Sequence, residues 1–483
     1  MPWVTSLEKR LHFPTLSTVL FSCILLISFF LHSCAPTGRD HIDTGITQSW
    51  IPGYPNFTFA AWASFEEDEV FLKTYLIIPY SNLVFRSSNQ TEFLSRYERN
   101  ITIKRIVDGN DDGRTVYNRT TEHEVVKQTY QETQSNRSNI HESRHQFEPG
   151  TYLVRLSIRD KNTNRRIFHE TRVEIPDLSD SGNQIGSVLL KRHQGELRDF
   201  RPVSTFSMTE SDDSLKVSLQ VFLDDDEAPF AVRMNLLRFE TDSLPGRPPH
   251  LHTPMIGSLQ YRGINYERPD TLQSNFRDLN VFSGTIDLDF DLPHLRPGNY
   301  RAEIIALSDE GVQFQRARDF AIMPAGFPSV KTIRQMNEAL FYISTPREFE
   351  RLTKPQSNDS LRAAFDTFWA QNIGNRNRAL ATINQYFTRV EEANSIFTNH
   401  KEGWKTDFGM VYILFGPPSF QERFADGISW YYQIGSNNIR FNFERGRTAG
   451  YIAPSNNYIL RRDRAYEQFF HRQFEDWRRG SIR

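Results

Sequence analysis

Apolar residues recur along this chain in three successive rhythms. An almost unbroken run comes first, from Val19 to Leu31, interrupted only by Ser22, Cys23 and Ser28. A period of two then takes over. Phe57, Phe59 and Ala61 alternate with other residues, Val70 to Ile78 forms a β-rich run closed by Pro79, and Tyr152, Val154, Leu156 and Ile158 alternate with Leu153, Arg155, Ser157 and Arg159. Alternation of this kind predicts strands with one face buried and one face in water. Beyond Pro324 and Pro328 the period lengthens to that of a helix. Leu361, Ala364, Phe365, Phe368 and Trp369 share one face, and Ile383, Tyr386, Phe387, Val390 and Phe397 form the stripe of a longer helix over about 378–397. The short polar link at 371–377 predicts that these two helices pack antiparallel.

Within the period-two region a pattern occurs twice. Glu148-Pro149-Gly150-Thr151-Tyr152 and Arg296-Pro297-Gly298-Asn299-Tyr300 each open a strand, which a polar turn and a closing strand follow. Val70 to Ile78 corresponds to Leu215 to Leu223. A duplicated all-β unit accounts for both, with the immunoglobulin-like sandwich as the expected architecture. The fold class is therefore read as mainly β: two tandem sandwiches, residues 56–178 and 184–325, followed by a C-terminal α+β domain over 330–483.

That last domain centres on Gly403-Trp404-Lys405-Thr406-Asp407, followed by Phe408-Gly409 and the apolar run Met410 to Phe415, which Gly416-Pro417-Pro418 terminates. Six continuous apolar residues between turn-forming residues predict a strand buried on both faces. Ile428 to Ile434 and Asn438 to Phe443 predict a hairpin, with a turn at Gly435-Ser436-Asn437. Tyr451 and Ile452, then Tyr458 to Leu460, are further short strand candidates, and Tyr466, Phe469, Phe470, Phe474 and Trp477 predict a closing amphipathic helix.

This third of the chain resembles the GWxTD domain proteins of bacterial envelopes, whose naming motif is Gly403, Trp404, Thr406 and Asp407 here. The likeness extends to Phe368-Trp369, Arg389-Val390, Ala393-Asn394, Val411-Tyr412-Ile413, Gly416-Pro417-Pro418 and Trp430-Tyr431-Tyr432. It implies a bacterial envelope location and carries no established activity. Relatives usually have basic residues where this chain has Phe408 and Met410, so a ligand held by such a pair is not expected here.

The first rhythm is an address. Lys9 and Arg10 precede the apolar run, which falls short of the roughly 20 residues a spanning helix needs and suits a secretory signal over 1–33. Its end, Leu31-His32-Ser33-Cys34, resembles a bacterial lipobox, which implies acylation of Cys34 and a tether over 34–55. Cys23 would leave with the signal, so no disulfide and no thiolate metal site is expected in the remaining chain. N-x-S/T triplets, among them those at Asn56, Asn89, Asn100, Asn118 and Asn136, would be glycan acceptors in a eukaryotic secretory chain and ordinary surface residues in a bacterial one. The resemblance around Trp404 selects the second.

Totals add little. With 483 residues about three domains are expected, and a formal charge of −2 provides no overall field for nucleic acid. The abundance of Phe (38) and Tyr (18) favours sheets over helical bundles.

Candidate chemistry is sparse. His141-Glu142-Ser143-Arg144-His145 matches the zinc protease pattern H-E-x-x-H, which needs both histidines on one face of a buried helix. The polar stretch before it and Pro149-Gly150 after it predict a polar loop instead. His250 and His252 lie in a Pro-rich segment and are read as loop residues. The acidic runs at 66–69 and 224–227 lack the spacing of a calcium loop. No metal and no cofactor is expected. Asp407 beside Thr406 has no paired carboxylate and no histidine nearby except His400, so Gly403, Trp404, Thr406, Asp407, Tyr412, Gly416, Pro417 and Pro418 are read as architecture. No residue is assigned as catalytic. The expected function is that of a lipid-anchored interaction or assembly module on the periplasmic side of an envelope membrane, with a protein partner. The alternatives are an envelope hydrolase using Asp407 in a cleft beside Trp404 and Tyr412, or glycan binding by aromatics such as Trp62 or Tyr261.

Overall fold

A computed structural model describes residues 54–482 apart from 67–68, 90–91, 108–109, 136, 180–181, 194–198, 211–213, 225–229, 252–262, 280–283, 310, 425–426, 435–436 and 446–456. The expected signal segment, Cys34, His252, Tyr261, the Tyr451-Ile452 strand candidate and parts of both acidic runs lie outside the described residues.

The chain is mainly β. The first sandwich contains β1 (Thr58–Glu66), β2 (Glu69–Pro79), β3 (Arg86–Asn89), β4 (Glu92–Val107), β5 (Asn110–Lys127), β6 (Ser138–Gln146), β7 (Gly150–Asp160) and β8 (Arg166–Ile175). A β1-β2-β6 sheet faces a sheet in which β4 pairs with β3, β5 and β7, and β7 with β8. The alternating residues Tyr152, Val154, Leu156 and Ile158 of β7 point inward and meet Phe59, Leu72 and Leu76 from the opposite sheet.

The second sandwich contains β9 (Gln184–Ile185), β10 (Leu189–His193), β11 (Phe200–Pro202), β12 (Ser207–Thr209), β13 (Leu215–Leu223), β14 (Phe230–Phe239), β15 (Asp270–Asp278), β16 (Gly284–Asp291), β17 (Gly298–Ser308) and β18 (Gly311–Met323). The sheet β11-β10-β13-β16, with β9 also on β13, covers the sheet β12-β18-β17-β14-β15. Val217, Leu219 and Phe290 pack there against Val232, Ile304 and Phe320.

The sequence repeat has a matching geometry. Gly150 and Gly298 both have positive φ, at 147° and 159°. An arginine from the adjacent strand, Arg105 or Arg238, donates to the carbonyl of the preceding proline, at 2.8 and 3.2 Å. The tyrosine two residues past each glycine donates its hydroxyl back to the carbonyl four residues upstream: Tyr152 to Glu148 and Tyr300 to Arg296, both at 2.6 Å. This is the tyrosine corner of immunoglobulin-like sandwiches, present twice.

The third region contains α1 (Ile333–Ala339), α2 (Pro346–Thr353), α3 (Asn358–Asn372), α4 (Arg376–Phe397), α5 (Asp407–Phe415), the antiparallel sheet β19 (Phe420–Arg423), β20 (Gly427–Ile434), β21 (Asn437–Arg445) and β22 (Tyr458–Leu460), and α6 (Glu467–Arg479). Its core joins Tyr386 and Val390 of α4, Val411 and Ile413 of α5, Trp430 and Phe441 of the sheet, and Trp477 of α6.

Two expectations are corrected. Residues 410–415 belong to a helix, α5, and not to a strand. The run is apolar all round because the helix is buried on every side, with Met410 to Leu414 fully enclosed. A short apolar run cannot reveal its period when no face looks at water. The H-E-x-x-H segment is strand β6, neither helix nor loop. Its alternation places His141, Ser143 and His145 toward the interior while Glu142 and Arg144 face solvent, so the glutamate cannot serve a metal held by the two histidines.

Candidate functional site

The naming residues of the motif form a joint where α4, the start of α5 and the β14–β15 connection of the second sandwich meet. Gly403 and Gly409 are required by close approach. A Cβ on Gly403 would lie 1.9 Å from the Ala393 carbonyl oxygen, and one on Gly409 would lie 2.0 Å from the Gly403 oxygen. Both obstacles are backbone, which cannot swing aside. The Gly403 amide donates to Thr398 Oγ1 at 2.9 Å and the Trp404 amide to Asn394 Oδ1 at 3.1 Å, fixing the turn to the end of α4. Trp404 is buried, edge-on to Tyr342 at 6.2 Å.

Thr406 caps α5. Its hydroxyl accepts from the Gly409 amide at 3.0 Å and donates to the Gly403 carbonyl at 2.7 Å, so it satisfies a helix-end donor and closes the turn. Asp407 is the first residue of the helix, where a carboxylate is favoured by the exposed amide dipoles. Its Oδ2 accepts from the Leu460 amide and from Arg462 Nη1, each at 2.8 Å, and its Oδ1 accepts from Arg462 Nη2 at 2.6 Å. The two side chains are 10% and 7% exposed, so this is a buried, two-pronged ion pair.

A segment of the second sandwich seals it. The Gly246 amide donates to the Lys405 carbonyl at 2.8 Å and to Tyr342 Oη at 3.1 Å, and Arg462 Nη2 donates to the Arg247 carbonyl at 3.1 Å. Gly246 has no room for a side chain, since a Cβ there would lie 2.7 Å from Asp407 Oδ1. Tyr342 in turn donates to the Trp404 carbonyl at 2.9 Å. Complete burial, and then the nearby Asp407 charge, push its phenol well above its ordinary value. Lys401 adds an ion pair to Asp242 at 3.0 Å and a bond to the Leu244 carbonyl at 2.8 Å.

The other motif residues lie along α5 and its exit. Tyr412 donates to Glu392 Oε2 at 2.8 Å. The pair borders a crevice of about 450 Å³, lined also by Tyr54, Asn82, Leu83 and Thr388, which does not reach Asp407. Gly416 ends the helix with φ +81°, and its carbonyl accepts from Tyr432 Oη at 2.9 Å. Pro417 is exposed and Pro418 half-buried. Phe408 lies in an aromatic cluster, stacked on Trp430 with centroids 4.7 Å apart.

His400 is enclosed beside this joint, with no hydrogen-bond partner for either ring nitrogen. Burial, with a smaller contribution from the Lys401 charge, holds its pKa down at about 3, so it is a neutral imidazole and has no contact with Asp407. In the first sandwich His141 meets the His123 ring at 4.3 Å and bonds Tyr97 Oη at 2.6 Å. Burial, then the positive charge of neighbouring groups, lowers it to about 4. Trp62 is half-buried on β1.

The sequence singled out Asp407 but not its partner. Arg462 lies in a polar stretch, Arg461-Arg462-Asp463-Arg464, whose pattern distinguishes none of its arginines. Gly246 was equally silent, inside a Pro-rich segment.

No curated protein matches the chain in sequence. Solved structures resemble it only distantly. A red sea bream transglutaminase aligns at 8% identity over 55% of this chain and 31% of its own, with a TM-score of 0.18. A Salmonella alpha-2-macroglobulin aligns at 12% identity over 58% and 17%, also at 0.18. Fibronectin(III)-like modules of Clostridium thermocellum CbhA align at 10% identity over 57% and 98%, at 0.15. TM-scores this low carry no argument about kinship or activity, and the chain spans less than a third of the first two. The family comparison is specific: residues 306–479 match the model of the GWxTD domain, and this part of the chain, with Gly403, Trp404, Thr406, Asp407 and Arg462, is a GWxTD domain.

Proposed function

We propose that the protein is a non-catalytic, lipid-anchored module of a bacterial cell envelope that holds a protein partner close to the membrane. The observation that carries this reading is the engagement of Asp407. Its carboxylate oxygens are occupied by the Leu460 amide and the Arg462 guanidinium, and Gly246 closes the approach. A general base or nucleophile needs a free lone pair facing a substrate-sized space. Here the carboxylate serves as a structural anion.

Cys34, as the acylated first residue of the mature chain, would fix the molecule in two dimensions and raise its effective concentration for a membrane-bound partner. The two sandwiches then act as a spacer, and the exposed faces of the GWxTD domain present the binding surface. Crosslinking in intact cells, followed by identification of the captured proteins, is the test. A defined envelope protein is expected, and Cys34→Ser is expected to release the chain from the membrane fraction and to reduce capture. Failure to capture any partner, together with turnover of an envelope polymer by the purified protein, would overturn the proposal.

A further inference from the structure

The segment that seals the joint continues into a second meeting of the same two regions. Immediately after Gly246 and Arg247, Pro249 accepts a backbone bond from Asp463 at 3.2 Å, which brings His250 against the first turns of α6. There Glu467 and His471 stand four residues apart and therefore on one helix face. One ligand atom from each of His250, Glu467 and His471 lies within 4.8 Å of the others. The imidazoles of His250 and His471 have centroids 5.4 Å apart, and His471 Nε2 lies 3.9 Å from Glu467 Oε1.

We propose that His250, Glu467 and His471 form a binding site for a divalent transition metal of the zinc class, clipping the β14–β15 connection of the second sandwich to the last helix of the GWxTD domain. Two imidazoles and one carboxylate suit zinc and its neighbours in the first transition row, and do not suit calcium or magnesium, which take oxygen ligands. Ligand atoms bound tetrahedrally at about 2.0–2.1 Å stand about 3.3 Å apart, so the three need to close by at most ~1.5 Å. Glu467 and His471 are 58% and 60% exposed, which leaves their side chains room to turn toward His250.

A second observation points the same way. Nδ1 of His250 is shielded from solvent and has no hydrogen-bond partner, which is costly for a polar atom and is relieved by a metal bond on that nitrogen or by a reorientation that accompanies one. The ring also packs on Phe470 at 5.0 Å, giving the site an apolar floor. Water would complete the coordination of a metal held by three protein ligands. The metal clip is independent of the Asp407–Arg462 pair, although both fasten the same segment.

Cobalt(II) titration of the chelator-treated full chain tests the assignment, because cobalt in such a site has a visible absorption that zinc abolishes on displacement. One equivalent is expected, with binding weakened at least about tenfold in His471→Ala and in His250→Ala and to a lesser degree in Glu467→Gln. Zinc should raise the melting temperature of the wild type and leave that of His471→Ala unchanged. His471 is exposed, so this variant folds, and His294→Ala serves as a control expected to bind like the wild type. Absence of stoichiometric binding, or binding that survives His471→Ala and His250→Ala, would overturn the proposal.

Discussion

Replacing Asp407 with alanine should make the GWxTD domain unfold far more readily. The substitution leaves the Arg462 guanidinium, only 7% exposed, without its counter-ion, and removes the acceptor of the Leu460 amide. Stranding one partner of a buried ion pair costs about 3–5 kcal/mol, and losing a negative charge from the first turn of α5 adds about 0.3–1 kcal/mol. Trp369, Trp404, Trp430 and Trp477 are all buried in this domain, so intrinsic fluorescence during urea denaturation follows it directly. With a denaturant slope of ~2 kcal/mol/M, a loss of 3 kcal/mol lowers the midpoint by about 1.5 M. Arg462→Met alone leaves the carboxylate buried and should be similarly harmful. The double variant removes both charges, and the two single losses should then fail to add by about 1–3 kcal/mol. Additive losses, or an Asp407→Ala midpoint within about 0.3 M of the wild type, would refute the description of this pair as structural.

Three further outcomes follow from the same joint. Gly403→Ala forces a methyl into the Ala393 carbonyl and should cost at least ~3 kcal/mol or prevent soluble expression, as read by circular dichroism. Thr406→Ala removes the α5 cap and should lower stability by about 1–2 kcal/mol in the same urea assay. His400, held at about 3 in the folded chain against 6.5 for the unfolded one, makes stability full above pH 6.5 and has it decline as the pH falls, down to about 3, because only the unfolded state takes the proton. Between pH 7 and pH 5 this group should remove about 2 kcal/mol, and His400→Leu should flatten that part of the profile. Identical pH profiles for the two proteins would contradict the burial argument.

Much of the fold was legible because most strands and helices have one wet face. The Tyr152 to Ile158 alternation and the Pro-Gly-x-Tyr repeat led directly to two sandwiches, and the stripe from Ile383 to Phe397 led to α4. The failures share a cause. The run from Met410 to Phe415 is dry on every side, so hydropathy had no phase to report, and only the Thr406 cap and the Gly416 terminus hinted at a helix. The strand at His141 to His145 alternates between polar residues, half facing a polar seam inside the sandwich, so alternation existed without an apolar contrast. At the joint, the motif was visible as a motif, but its partners Gly246, Tyr342 and Arg462 come from three distant segments. Their convergence depends on tertiary packing, which local pattern does not encode.

Asp407, by holding Arg462 against the Arg247 carbonyl, fastens the β14–β15 connection of the second sandwich to the GWxTD domain. Amide hydrogen exchange of residues 242–251 in Asp407→Asn, under conditions where the variant remains folded, tests this most directly. In the wild type the Gly246 amide is bonded to Lys405 and Tyr342 and should exchange slowly. Protection is expected to fall in this segment and at Leu460 in the variant, while β7 of the first sandwich stays as it was. Unaltered protection at both places would mean that the carboxylate is not what fastens the joint.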